Sequence, residues 1–104
     1  MRGVRVLEVG ASLPSAYCGR LFATGGSDVV VLESPQGAPL RSAPPVVTDK
    51  DGQPRSALWE YVMAGKRSVA LERDDPAVTA LLRWADLVIT SSDGRPDDVV
   101  RFSQ

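Results

Sequence analysis

The sequence predicts an α/β fold, an open parallel sheet of about four strands with flanking helices. Three observations predict it. Short, near-continuous apolar runs recur at Val4–Val9, Val29–Leu32, Val69–Leu71 and Asp86–Thr90, the pattern of strands covered on both faces. Stretches with helix start and stop signals lie between them. The first two runs are joined through a helix, as a right-handed parallel crossover requires.

Each element follows from local chemistry. Gly10 ends the first strand, and Ser12 or Ser15 can cap the next helix. Pro14 suits its first turn because proline has no amide hydrogen to leave unpaired. This helix runs to about Ala23, with Tyr17 and Leu21 on one face and Cys18 expected as a small buried packing residue. Thr24-Gly25-Gly26-Ser27 stops it. Residues 34–55 carry most of the prolines and the turn signal Lys50-Asp51-Gly52, and are expected to form one long proline-rich loop. Ser56 caps a short helix with Leu58, Tyr61 and Val62 on one face, which Gly65 ends. Lys66-Arg67-Ser68 then leads into the third strand. Asp75-Pro76 starts a helix whose Val78, Leu81, Leu82 and Ala85 fall at i, i+3, i+4 and i+7. Trp59 and Trp84 are expected to pack from their helices onto the sheet. After the fourth strand comes a loop and the start of a further helix.

Composition narrows the chemistry. At 104 residues the chain is a single domain, 1–104, with 43% hydrophobic residues available for a core. A net charge of −1 implies no general attraction to nucleic acid or to an anionic membrane. No apolar run reaches the roughly 20 residues needed to span a bilayer, and no signal peptide is visible, so a cytoplasmic location is expected. With no histidine, serine–histidine and cysteine–histidine catalysis are excluded within the chain, and no metal site is expected. One cysteine forms no internal disulfide.

Glu33 closes the second strand, where dinucleotide-binding and methyl-transfer folds place a ribose-binding acid. The stretch VLEVG also resembles the opening of S-adenosylmethionine-dependent methyltransferases. The glycines those sites need are missing, since Gly10 is followed by Ala11-Ser12-Leu13-Pro14. A structural Glu33, solvated or bonding a loop amide, is therefore favoured over a ribose ligand. Lys66 and Arg67 sit between a helix end and a strand, where two cations can clamp a phosphate or simply be solvated. Arg41, Arg95 and Arg101 carry no signal taken singly.

Four blocks in order, GVRVLEVG, GRLFATGGSDVVVLESPQGAPLR, GKRSVAL and ADLVIT, cover nearly the whole chain. Together they resemble the N-terminal part of the family III CoA-transferases, which includes formyl-CoA transferase, carnitine CoA-transferase and α-methylacyl-CoA racemase. The resemblance implies a Rossmann-like, CoA-binding N-terminal domain. In complete members a smaller domain follows and two chains interlock, so the expected partners are an acyl-CoA and either the remainder of a larger chain or a homodimer partner. It also implies covalent catalysis by an aspartate that attacks the acyl-CoA thioester, or acid/base chemistry in racemase members. The principal aspartate falls beyond this chain, so no catalytic residue is assigned here. Carried over position by position, the cofactor-binding candidates are Arg41, Lys66, Arg67, Leu71 and Arg101, with coenzyme A or acyl-CoA as substrate.

Departures from the family pattern cluster at ligand-facing positions. The loop reads Ala11-Ser12-Leu13-Pro14-Ser15, an acid before Arg41 is replaced by Ala38-Pro39, and Thr90-Ser91-Ser92 stands where Glu-Asn-Phe is usual. The expectation is a CoA-binding domain that is inactive alone, from a truncated or tandem protein. The alternatives are a degenerate structural or interaction domain, and a nucleotide or S-adenosylmethionine module.

Overall fold

A computed structural model describes residues 3–10 and 12–90. In chain order the elements are β1 (Arg5–Val9), α1 (Leu13–Thr24), β2 (Asp28–Glu33), a 3-10 turn (Pro39–Ser42), β3 (Val46–Thr48), β4 (Pro54–Ser56), α2 (Ala57–Met63), β5 (Lys66–Ala70), α3 (Pro76–Trp84) and β6 (Leu87–Thr90). Four strands form a parallel sheet in the order β5-β2-β1-β6. This is the α/β open sheet the apolar runs predict. The expected loop and helix start after the fourth strand lie outside the described residues.

The helix signals act as anticipated. Ser12 accepts from the Ser15 amide at the start of α1, Ser56 from Trp59 at α2, and Asp75 from Ala77 at α3, with Pro14 and Pro76 in their first turns. Gly26 takes a φ of +96° just past α1, a conformation that side chains resist. Alternation along the strands divides the core into two layers. Leu7, Val9, Val30 and Leu32 form one cluster with Val78 of α3, and Trp84 packs against it. Val6, Val29 and Val31 are fully buried on the opposite face, where Glu8 also points, and α2 contributes the fully buried Val62.

Three expectations need correction. Residues 34–55 are not one loop, because they contain the 3-10 turn and an antiparallel β3–β4 hairpin. The Asp49 carboxylate closes that hairpin by accepting the Asp51 and Gln53 amides, and Gly52 supplies φ +79°. The third strand begins at Lys66 rather than Val69, since β5 pairs from Val29↔Lys66 onward. Finally, α1 buries Ser15, Ala16 and Gly19, while Tyr17 is exposed, Leu21 is 70% exposed and Cys18 is half-buried. Tyr61 likewise faces outward and meets Tyr17 edge-to-face, with ring centroids 6.0 Å apart.

Candidate functional site

With strand order β5-β2-β1-β6, the chain turns one way from β1 to β2 and the other way to reach β6. Ligands of open parallel sheets bind outside the carboxyl ends of the strands, at such a reversal. That reversal lies between β1 and β6, which puts the loop after β1 at the candidate site, with the ends of β2 and β5 along the same carboxyl edge of the sheet. Gly10 opens that loop at φ +109°, a turn that favours glycine.

Glu33 organises the β2 end. Its carboxylate is 2% exposed and takes both arms of the Arg41 guanidinium, with Nε to Oε1 at 2.6 Å and Nη2 to Oε2 at 2.7 Å. Oε1 also accepts the Ala38 amide at 2.8 Å, and the Glu33 carbonyl accepts the Leu71 amide at 3.0 Å. The bond from Arg41 holds the Glu33 carboxyl below its ordinary value against the opposing effect of burial, and the Ala38 amide adds to this. Glu33 thus bonds a loop amide, as its structural reading required, and it also has a cation that sequence did not pair with it. Arg41 remains 46% exposed, lies over the Trp59 ring at 4.7 Å, and lines a cleft of about 450 Å³ with Arg55, Ser56, Trp59 and Met63.

Lys66 and Arg67 are not brought together. They are successive strand residues, so their side chains leave opposite faces of the sheet. Arg67 reaches Asp28 at 2.7 Å in an exposed pair beside a second cleft, about 330 Å³, lined by Val69, Leu81 and Trp84. The Lys66 side chain is 0% exposed, and its ammonium sits 2.7 Å from Glu8 Oε1 and 2.9 Å from the Ala16 carbonyl. The Leu71 amide is tied to the Glu33 carbonyl, while its side chain packs against the cluster of Leu7, Val30 and Leu32 on the α3 face. Arg101 lies outside the described residues, as do Arg95 and Ala11.

Glu8 is the residue that sequence reasoning passed over. Burial pushes its carboxyl above the ordinary value, while the Lys66 hydrogen bond and charge pull it back. The signal was present: one acid in a strand with an apolar run on both sides needs a buried cation. Gly19 of α1 leaves the space for this pair. A Cβ there would overlap Glu8 Oε1 and sit 3.0 Å from Lys66 Nζ. Helix propensity favours alanine over glycine by about 1 kcal/mol, yet moving the enclosed carboxylate aside would disturb its bond to Lys66. Gly19→Ala is expected to destabilise by about 1–3 kcal/mol. A urea midpoint at or above the parent's would show that the pair can yield.

Comparison with known proteins decides the family. The profile of CoA-transferase family III matches residues 1–100. The chain belongs to CoA-transferase family III. Within this family it is 38% identical over 90 residues to the succinyl-CoA:mesaconate CoA-transferase of Haloarcula hispanica, covering 83% of this chain and 23% of that protein. It is 34% identical over 96 residues to the succinate–glutarate CoA-transferase of Agrobacterium fabrum, covering 86% of this chain and 24% of that one. A CaiB/BaiF family protein from Brucella suis superposes with a TM-score of 0.73 at 29% identity, over 86% of this chain and 25% of its own. The chain thus spans about a quarter of the length of these family III relatives. No described helix is long and apolar enough to cross a membrane. Among the described residues no group of histidine, cysteine, aspartate or glutamate is placed to hold a metal.

Proposed function

We propose that this family III chain binds coenzyme A or an acyl-CoA at the carboxyl ends of β1, β2 and β5. Membership of a family whose relatives are named as CoA-transferases carries the proposal. The half-exposed Arg41 guanidinium, stacked on Trp59 beside an open cleft, suits a phosphate or an adenine ring. Leu71, whose amide bonds the Glu33 carbonyl, offers an apolar contact just past the end of β5. In the complete protein the activity would be transfer of CoA from an acyl-CoA to a carboxylate, using an aspartate supplied from outside this chain. That protein would comprise the remainder of a larger chain or a homodimer. Isothermal titration with CoA and acetyl-CoA is expected to give saturable heat, and no heat at millimolar ligand would overturn the proposal.

A second reading is a structural or interaction domain that no longer binds CoA. The observation in its favour is that Arg41, Lys66 and Arg67 each already hold a carboxylate of the same chain. The same titration separates the two.

A further inference from the structure

We infer that the buried Glu8–Lys66 pair is a positioning device: it fixes α1, and with it the loop after β1, in the place that ligand binding needs. This rests on the CoA-binding reading above and assigns Lys66 an indirect part in it. Lys66 lies on β5 opposite Val29 of β2, and Val29 lies opposite Val6 of β1. The lysine therefore reaches obliquely across β2 to Glu8, two residues further along β1. From above, Ala16 of α1 lends its carbonyl to the same ammonium at 2.9 Å. Three elements meet at one nitrogen.

The fully buried residues of α1 are Ser15, Ala16 and Gly19, with Cys18, Phe22 and Ala23 half-buried, so small groups make its tightest contact with the sheet. Apolar contact is non-directional, whereas an ammonium bonded to a carboxylate and a carbonyl fixes a register. Ala16 is the fourth residue of the helix, and its amide donates to the Ser12 carbonyl at 3.1 Å. Ser12 is the cap, two residues from Gly10. A displacement at Lys66 thus passes through Ala16 and Ser12 to the loop in a few bonds. Full enclosure leaves the Lys66 ammonium no path to a ligand phosphate.

The experiment compares the parent with the double variant Glu8→Leu/Lys66→Met, which replaces both charges by apolar groups of similar volume. Three measurements are made: the urea midpoint, the rate at which a disulfide reagent labels Cys18 in α1, and the affinities for CoA and for dephospho-CoA. The expected result is a parental midpoint with Cys18 labelling faster by roughly tenfold, as α1 opens locally. Both ligands are expected to bind more weakly by one common factor, the inverse of the fraction of molecules in which α1 stays correctly placed. Parental labelling and affinities would overturn the inference. So would a loss confined to CoA, which would mean that Lys66 touches the 3′-phosphate that dephospho-CoA lacks. Should the double variant not fold, Glu8→Asp keeps both charges but withdraws the carboxylate by one methylene. Faster Cys18 labelling supports the inference there, and an unchanged rate refutes it. If the parent binds no CoA, the proposed function falls, while Cys18 labelling still decides whether the pair holds α1.

Discussion

Replacing Lys66 alone by methionine is expected to cost about 3–5 kcal/mol of stability, because it strands a buried carboxylate without its cation. The loss is large against the roughly 5–15 kcal/mol that holds a domain of this size folded. Methionine fills much of the lysine's volume, so a cavity explains little of the effect. The carboxyl of Glu8 already lies above its ordinary value with Lys66 in place. Without Lys66 it rises further and takes up a proton on folding. A carboxyl raised in the folded state binds more protons there than in the unfolded chain, so its stability contribution falls as pH increases. The variant should accordingly gain stability as the pH is lowered from neutral toward the ordinary glutamate value of 4.5. Urea unfolding at several pH values tests both parts, and a cost below about 1 kcal/mol would mean that water reaches Glu8 freely.

Arg41→Ala is expected to cost less, about 2 kcal/mol, because Arg41 is half open to water and solvent screens part of the interaction. The Glu33 carboxylate would keep the Ala38 amide but lose both guanidinium bonds. The sign of the pH effect is opposite to that at Glu8. Glu33 is held below its ordinary value of 4.5, chiefly by the Arg41 hydrogen bond. Its contribution is therefore complete above that value and is lost as pH falls through the lowered one. Removing Arg41 should flatten this part of the acid limb, leaving the part due to Asp86, which Arg5 also holds low. Acid titrations of parent and variant that run parallel would show that Arg41 does not set the Glu33 proton affinity. Trp59 fluorescence should change with the same substitution, since the guanidinium leaves its ring.

The scaffold was legible because its signals are local. Val29-Val30-Val31-Leu32 announces a strand covered on both faces, and Ser12, Ser56 and Asp75 announce caps whose bonds reach two or three residues. The start of β5 was not legible, since Lys66-Arg67-Ser68 looks like a polar loop until its partners are known. Those partners are Asp28 and Glu8, the latter 58 residues away in sequence. The β3–β4 hairpin was hidden for another reason. Its three-residue strands are almost wholly exposed, so no burial alternation marks them. The candidate site was less legible. Arg41 bonds the Glu33 carboxylate and the Leu71 amide bonds the Glu33 carbonyl, but the Leu71 side chain packs on the α3 face of the sheet. Lys66 and Arg67 part to opposite faces because strand residues alternate.

Helix α1 turns Leu13, Tyr17 and Leu21 outward, Leu21 70% exposed, above a seat whose fully buried residues are serine, alanine and glycine. Ordinary rules of substitution are inverted along it. Leu21 should accept glutamine or lysine at little cost, although hydropathy alone would rank it among the residues to keep. Positions 16 and 19 should tolerate nothing larger than what they have, although Ala and Gly usually rank as permissive. Anyone redesigning this protein for solubility should therefore begin at the leucines of α1 and leave its smallest residues untouched.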